Sequence, residues 1–235
     1  MENQVSTPSK DQLGIKSYQA LFITKVYNWM ALALFITGLV SYFVASSPEM
    51  LNIIVGSKFV FYGILIAELL LVIYLTRSIQ KLSQNMVIAG FLIYAVLNGL
   101  TMSIIFLIYT SNSIATTFYV TAGTFGAMSL YGYYTKKDLT SLGNMAMMAL
   151  IGIIIASIVN MFLQNEMMYW IVTYLGVAVF VALTAYDTQK LKELGSRGFV
   201  NDEGMEKTSI LGALTLYLDF INMFLFLLRI FGNRN

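Results

Sequence analysis

No cysteine and no histidine occur among the 235 residues. Disulfides, thiolate nucleophiles, the usual zinc sites and histidine general bases are therefore excluded together. Any proton chemistry must run through Asp, Glu, Lys, Arg or Tyr. Proline is nearly absent as well. Pro8 and Pro48 both lie outside the apolar runs, so no span is expected to be kinked by proline. Charge is scarce: 11% of residues are charged, against roughly 25% in an average soluble domain. What fills the chain instead is apolar, 58% by residue with a mean hydropathy of +0.74. Most of it is not built to face water. The formal net charge of +2 says little about partners; the distribution of the charges says more. The lipid bilayer is the first partner expected, and no nucleic acid is.

A bilayer core needs roughly 20 apolar residues in helical form. Seven stretches meet this: Val26–Val44, Phe59–Leu75, Met86–Tyr109, Ile114–Tyr134, Leu142–Leu163, Met167–Tyr186 and Ile210–Phe231. Leu82 to Thr135 carries no charge and is too long for one helix. Thr110-Ser111-Asn112-Ser113 supplies a turn in its middle. The reading is an all-α membrane protein with a polar cytoplasmic tail over residues 1–23 and a transmembrane domain over residues 24–235. The tail shows no short apolar core followed by a small-residue cleavage site, so the first span is expected to act as its own insertion signal. Asp187–Ser209 reads as the one long, charged linker. No span shows a convincing Gly or Pro interruption of the kind found in transporters.

Lys and Arg set the orientation. With the N-terminus in the cytoplasm, Lys10, Lys16, Lys25, Arg77, Lys81, Lys136, Lys137, Lys190, Lys192, Arg197 and Lys207 lie inside. Only Lys58, Arg229 and Arg234 lie outside. Seven spans then send the C-terminus out. Small residues recur at helical spacing in Ala95/Gly99/Ser103, Gly152/Ala156 and Ala178/Ala182. Such stripes let helix backbones approach closely, and ordinary packing is the reading preferred for them.

An ionisable group at membrane depth costs at least ~2.5 kcal/mol and marks a functional candidate. Asp219 is the sharpest, roughly 14 Å inside the seventh span at 1.5 Å per residue. It must face a cavity, pair with a cation or hold a proton. Asn222, one turn on, shares its face and is expected to donate to it. Asp187 closes the sixth span, where an interfacial role and a functional one are both open. Arg77 ends the second span on the same side of the membrane. A guanidinium beside either carboxylate would reduce its burial cost, and two acids in one apolar site share protons and titrate as a unit. Glu68, mid-span, is either functional or a structural hydrogen-bonding group. Arg229 is expected to snorkel, and Asn28, Asn98 and Asn160 to join helices.

The segment Ala213–Gly232 (ALTLYLDFINMFLFLLRIFG) closely resembles the final helix of the transmembrane Bax inhibitor motif family, in its bacterial type. Lys25–Val40, Thr135–Gly143 (TKKDLTSLG) and Leu183–Lys192 (LTAYDTQKLK) support the resemblance, which spans almost the whole chain. It implies seven helices, with the last central and ringed by the other six. It also implies a pH-dependent calcium leak whose sensor is an aspartate pair, matching Asp187 and Asp219. The arginine described as their partner corresponds to Arg77, with Lys81 as the alternative.

The function expected is thus a proton-gated passive leak for calcium, which prefers oxygen ligands. Asp187 and Asp219 are the candidate cation ligands, with Glu68 and Asn222 in support. Calcium and protons are cargo and signal, no resident cofactor is expected, and neither is an enzymatic reaction. A proton-coupled transporter would use the same carboxylates. An intramembrane aspartyl protease fits poorly, because Leu216-Tyr217-Leu218-Asp219 stands where such proteases resemble one another in GxGD. The runner-up is a non-enzymatic regulator of other membrane proteins, such as quality-control proteases, with the N-terminal tail as contact. A bacterial inner membrane is the expected location.

Overall fold

The computed structural model describes residues 10–199 and 201–234. The first nine residues of the expected polar tail thus lie outside the described residues. Among the described residues nine helices follow in order: α1 Lys10–Ala45, α2 Pro48–Ile54, α3 Lys58–Ser78, α4 Gln84–Met102, α5 Ile105–Ile108, α6 Ser111–Tyr134, α7 Thr140–Leu163, α8 Glu166–Ser196 and α9 Asp202–Phe231. The described residues contain no strand beyond an isolated bridge between Tyr109 and Arg234.

Local chemistry sets the helix starts. Ser47, Ser83, Thr110, Asn165 and Asn201 each accept a backbone N–H of the first turn they precede, satisfying donors that the helix itself leaves open. Thr110 does this in the turn expected to divide the uncharged stretch. Asn160 Oδ1 accepts Asn165 N at 2.9 Å and closes the turn between α7 and α8.

Six of these segments are long and apolar enough to cross a membrane, α4 and α5 counted together. The uncharged α6, 24 residues long, has the length but not the apolarity. Its inward face is built of hydroxyls, with Ser113, Thr117, Thr121 and Ser129 all buried. Two boundaries differ from the sequence reading. The charged linker expected over Asp187–Ser209 shrinks to Arg197–Asn201, because α8 continues to Ser196 and α9 begins at Asp202. Apolar patterning stops where a helix leaves the membrane, whereas the backbone hydrogen bonds do not. The stretch Met86–Tyr109 is not one uninterrupted helix either. It breaks at Ser103–Ile104, where Ser103 N–H is shared between the carbonyls of Gly99 and Leu100. The same two carbonyls also accept hydroxyls: Ser41 Oγ donates to Gly99 O at 2.9 Å and Ser103 Oγ to Leu100 O at 2.6 Å. An interrupted span is tolerated only when its backbone is re-satisfied in this way.

Burial ranks the helices. In the most apolar window of α9, 67% of residues are buried, against 11% in α3 and in α7. Helix α9 packs on α1, α4, α6 and α8, while α3 packs chiefly on α4 and α7 on α8. Outer faces carry bare apolar side chains such as Phe59, 93% exposed, and Phe162, 77% exposed, surface suited to lipid rather than water.

Close backbone approach occurs at Gly99, where a Cβ would stand 2.7 Å from Val40 Cβ of α1, and at Gly132, where it would run into the carbonyl of Ala185 in α8. The other two small-residue stripes pack only in part: Gly152 has open space around its Cβ position and Gly152 and Ala178 are exposed, whereas Ala156 and Ala182 pack against the core. Gly132→Leu is expected to destabilise the fold by about 1–3 kcal/mol through overpacking, and Gly152→Leu to stay within about 0.5 kcal/mol of the parent. Unfolding in a denaturing-detergent titration measures both.

Candidate functional site

Asp219 sits at the 18th position of the 30-residue α9. Only 4% of it is exposed, and its Oδ2 is buried without a hydrogen-bond partner. Asp187, half-buried, lies on α8. The two helices form an antiparallel hairpin, and side chains lean toward the N-terminus of their own helix. Asp187 and Asp219 therefore lean toward each other, and each carboxyl acts on the other. Two carboxyls that meet in an apolar site interact strongly and titrate as a unit. Lys190, three residues beyond Asp187, is the positive charge that acts on it.

Arg77 is not brought to this pair. It is exposed at the end of α3, a helix that packs chiefly on α4, and no ion pair joins it to either aspartate among the described residues. Lys81 is exposed too. The cation beside the acids belongs to their own helix pair. Asn222 does not donate to Asp219 either. Its Nδ2 bonds to Leu218 O at 2.8 Å, one turn back on its own helix, which satisfies it without a neighbour.

Glu68 belongs to a separate buried network. Thr101 Oγ1 donates to its Oε1 at 2.9 Å, and Asn98 Nδ2 reaches its Oε2 at 3.3 Å. Asn98 Oδ1 in turn accepts Tyr217 OH at 3.0 Å, and Tyr217 OH meets Thr37 Oγ1 at 2.7 Å. The chain of partners runs from α3 through α4 to α9 and α1. Asn98 is thus interhelical glue, as expected; Asn28 is exposed. Tyr217, two residues before Asp219, has no solvent exposure. It ties the helix that carries the aspartate to the helix that faces Glu68. In sequence it looks like any other aromatic of an apolar run, and only its place in the YLDF stretch could flag it.

A third set of contacts closes the lysine-rich end. Gln189 accepts Leu139 N at 2.8 Å and donates to Lys137 O at 2.8 Å, clamping the turn between α6 and α7 onto α8. Lys192 Nζ donates to Tyr133 O at 2.6 Å, and Gln19 Nε2 to Lys192 O at 2.8 Å. Lys25 pairs with Glu206, which also accepts Trp29 Nε1 at 2.7 Å. The TKKD and DTQK stretches, 50 residues apart, thereby meet beside Asp187.

No group of three or more carboxylates that could hold a metal ion occurs among the described residues. Asp187 and Asp219 supply two carboxyls, short of the six to eight oxygens that calcium takes at about 2.3–2.6 Å. Tyr217→Phe is expected to cost about 1–3 kcal/mol by leaving Asn98 Oδ1 buried without a donor, and Asn222→Leu to stay within about 0.5 kcal/mol, because it breaks only a bond within its own helix. The same detergent titration separates the two.

The family described as inhibitor of apoptosis-promoting Bax1 matches residues 19–235. The inner membrane protein YbhL of Escherichia coli K12 is 54% identical over 222 residues, 94% of this chain and 93% of that protein. An uncharacterized protein of Rickettsia prowazekii, RP147, is 41% identical over 233 residues, covering 98% and 96% of the two chains. One from Borreliella burgdorferi is 39% identical over 228 residues, covering 97% of each.

Proposed function

The chain belongs to the family of inhibitors of apoptosis-promoting Bax1, and from that premise we propose that it is a passive, proton-gated cation leak with calcium as its cargo. It is an integral membrane protein. In this reading α1, α3, α4 with α5, α6, α7, α8 and α9 form seven spans, and α9 is the central one. The N-terminus is cytoplasmic, the C-terminus lies outside, and the host is a bacterial inner membrane.

The observation that supports the reading is the mutual contact of Asp187 and Asp219. With one proton the pair makes a charge-assisted hydrogen bond, the strong kind. It then carries a single negative charge, which Lys190 partly offsets. A second proton removes both the charge assistance and the attraction to Lys190. Loss of the last proton leaves two like charges facing each other at low dielectric. The latch between α8 and α9 is therefore tightest at one proton, and flux rises as the second is added. The clamp at Gln189 passes any movement of α8 to the turn between α6 and α7.

Calcium flux into proteoliposomes between about pH 5 and 8, a range within reach of a carboxyl that burial and a like-charged neighbour shift by several units, tests this. Wild type is expected to show a minimum with a rise toward acid. Asp219→Asn and Asp187→Asn are expected to flatten the profile, whereas Arg77→Gln, remote from the pair, leaves it intact. A profile unaltered in both aspartate variants rejects the proposal. The interruption at Ser103–Ile104, one turn from the Glu68 network, favours a second reading as a proton-coupled transporter. Uphill calcium movement driven by an imposed proton gradient would select it.

A further inference from the structure

At the lysine-poor end of the bundle a cavity of about 730 Å³ opens between the C-terminal ends of α7 and α9 and the start of α8. Its lining is polar and aromatic, and includes Arg229, Arg234, Asn160, Gln164, Tyr169 and Trp170. Two arginines face one acid there, Glu166, so the cavity is net positive. The guanidinium of Arg229 lies over Tyr169 and Phe226, 5.4 and 5.1 Å from the ring centres. Stacking of this kind holds the group in place while leaving its edge N–H donors free. Among the described residues neither arginine side chain makes a salt bridge. Backbone contacts hold Arg234 at the site: Tyr109 bridges to it, and Thr110 N–H donates to Asn233 O at 3.1 Å.

A second cavity, about 480 Å³, continues from the first and shares Asn165 and Val172 with it. It runs down the lipid-facing side between α7 and α8, lined by Gly152, Ile153, Ala156, Met168, Ile171 and Leu175 among others. Apart from the shared Asn165, its walls are apolar. The exposure of Gly152, unexpected for a packing stripe, opens this groove.

We propose that the two cavities form one binding site for an anionic phospholipid of the leaflet on the lysine-poor side. The phosphate and headgroup take the arginine pocket and one acyl chain takes the groove. The occupant follows from the chemistry. A basic pocket at the membrane surface joined to a dry groove at membrane depth matches a ligand with an anionic head and an apolar tail. Trp170 and Tyr174, stacked at 5.8 Å, stand where aromatic side chains mark the interface. A soluble phosphate would leave the groove unused, and a neutral lipid would leave two arginines unanswered. The site is separate from the aspartate pair and does not depend on the leak reading.

Trp170 reports on the site directly, because Trp29 is the only other tryptophan. In the purified full-length Trp29→Phe protein, phosphatidylglycerol with brominated acyl chains is expected to quench Trp170 at about tenfold lower mole fraction than brominated phosphatidylcholine, the scale of one or two charge-assisted contacts. Arg229→Gln with Arg234→Gln removes that preference, and Arg234→Gln alone, on the exposed tail, removes part of it. Gly152→Phe fills the groove without a clash and abolishes quenching by both lipids. Glycerophosphoglycerol, the headgroup without chains, does not relieve the quenching. Equal quenching by the two lipids, a preference that survives the double substitution, quenching that survives Gly152→Phe, or relief by the headgroup alone would each overturn the proposal.

Discussion

A carboxyl group in the middle of a membrane helix has few stable states. Ionised and alone it carries a desolvation cost that marginal folding energies do not cover, and unlike lysine it has no long stem with which to reach water. Asp219 meets this constraint beside Asp187, the acid that α8 brings to it. Small residues crowd the neighbouring contacts. Gly132 lets α6 come up against Ala185, and Gly143 lets α7 reach Tyr186. The hairpin that carries the acids is thus held from both sides.

Polar groups elsewhere in the bundle obey the same accounting. Glu68 is satisfied by Thr101 and Asn98, Asn98 by Tyr217, and Tyr217 by Thr37. Each link joins a different helix, so the network specifies one arrangement of α1, α3, α4 and α9. Aromatic packing reinforces it, with Phe91 and Tyr94 edge-on to Tyr217 at 6.4 and 5.8 Å. Thr117 and Ser129 leave buried hydroxyls without partners on the inward face of α6, next to the helix that carries Asp219. In an apolar interior such groups are costly and concentrate where function needs them.

The two ends of the molecule differ in chemistry. Lysines at one end join helices and turns: Lys192 and Lys207 bond to backbone carbonyls, and Lys25 pairs with Glu206. The arginines at the other end are left open over an accessible cavity. Arg229 is exposed, as snorkelling requires, yet it is stacked on rings rather than loose.

By itself the sequence determined the helical class, the places of the long apolar runs, the turn at Thr110 and the membership that the YLDFIN stretch signals, because these depend on local composition and spacing. It also singled out Asp219, since an acid in an apolar run is conspicuous without any fold, whereas Asp187, at the end of its span, drew attention through the family resemblance. Tertiary structure alone decided which groups meet. Arg77 and Asn222 have suitable charge and spacing, but α3 packs away from the acids and Asn222 turns to its own backbone. Gln189 and Tyr217 have ordinary surroundings in sequence and become junctions only when separate helices converge on them. The extension of α8 to Ser196 and the break at Ser103 were illegible for a related reason. Hydropathy records where lipid begins and ends, whereas helix length and interruption follow from backbone hydrogen bonds and the partners that packing supplies.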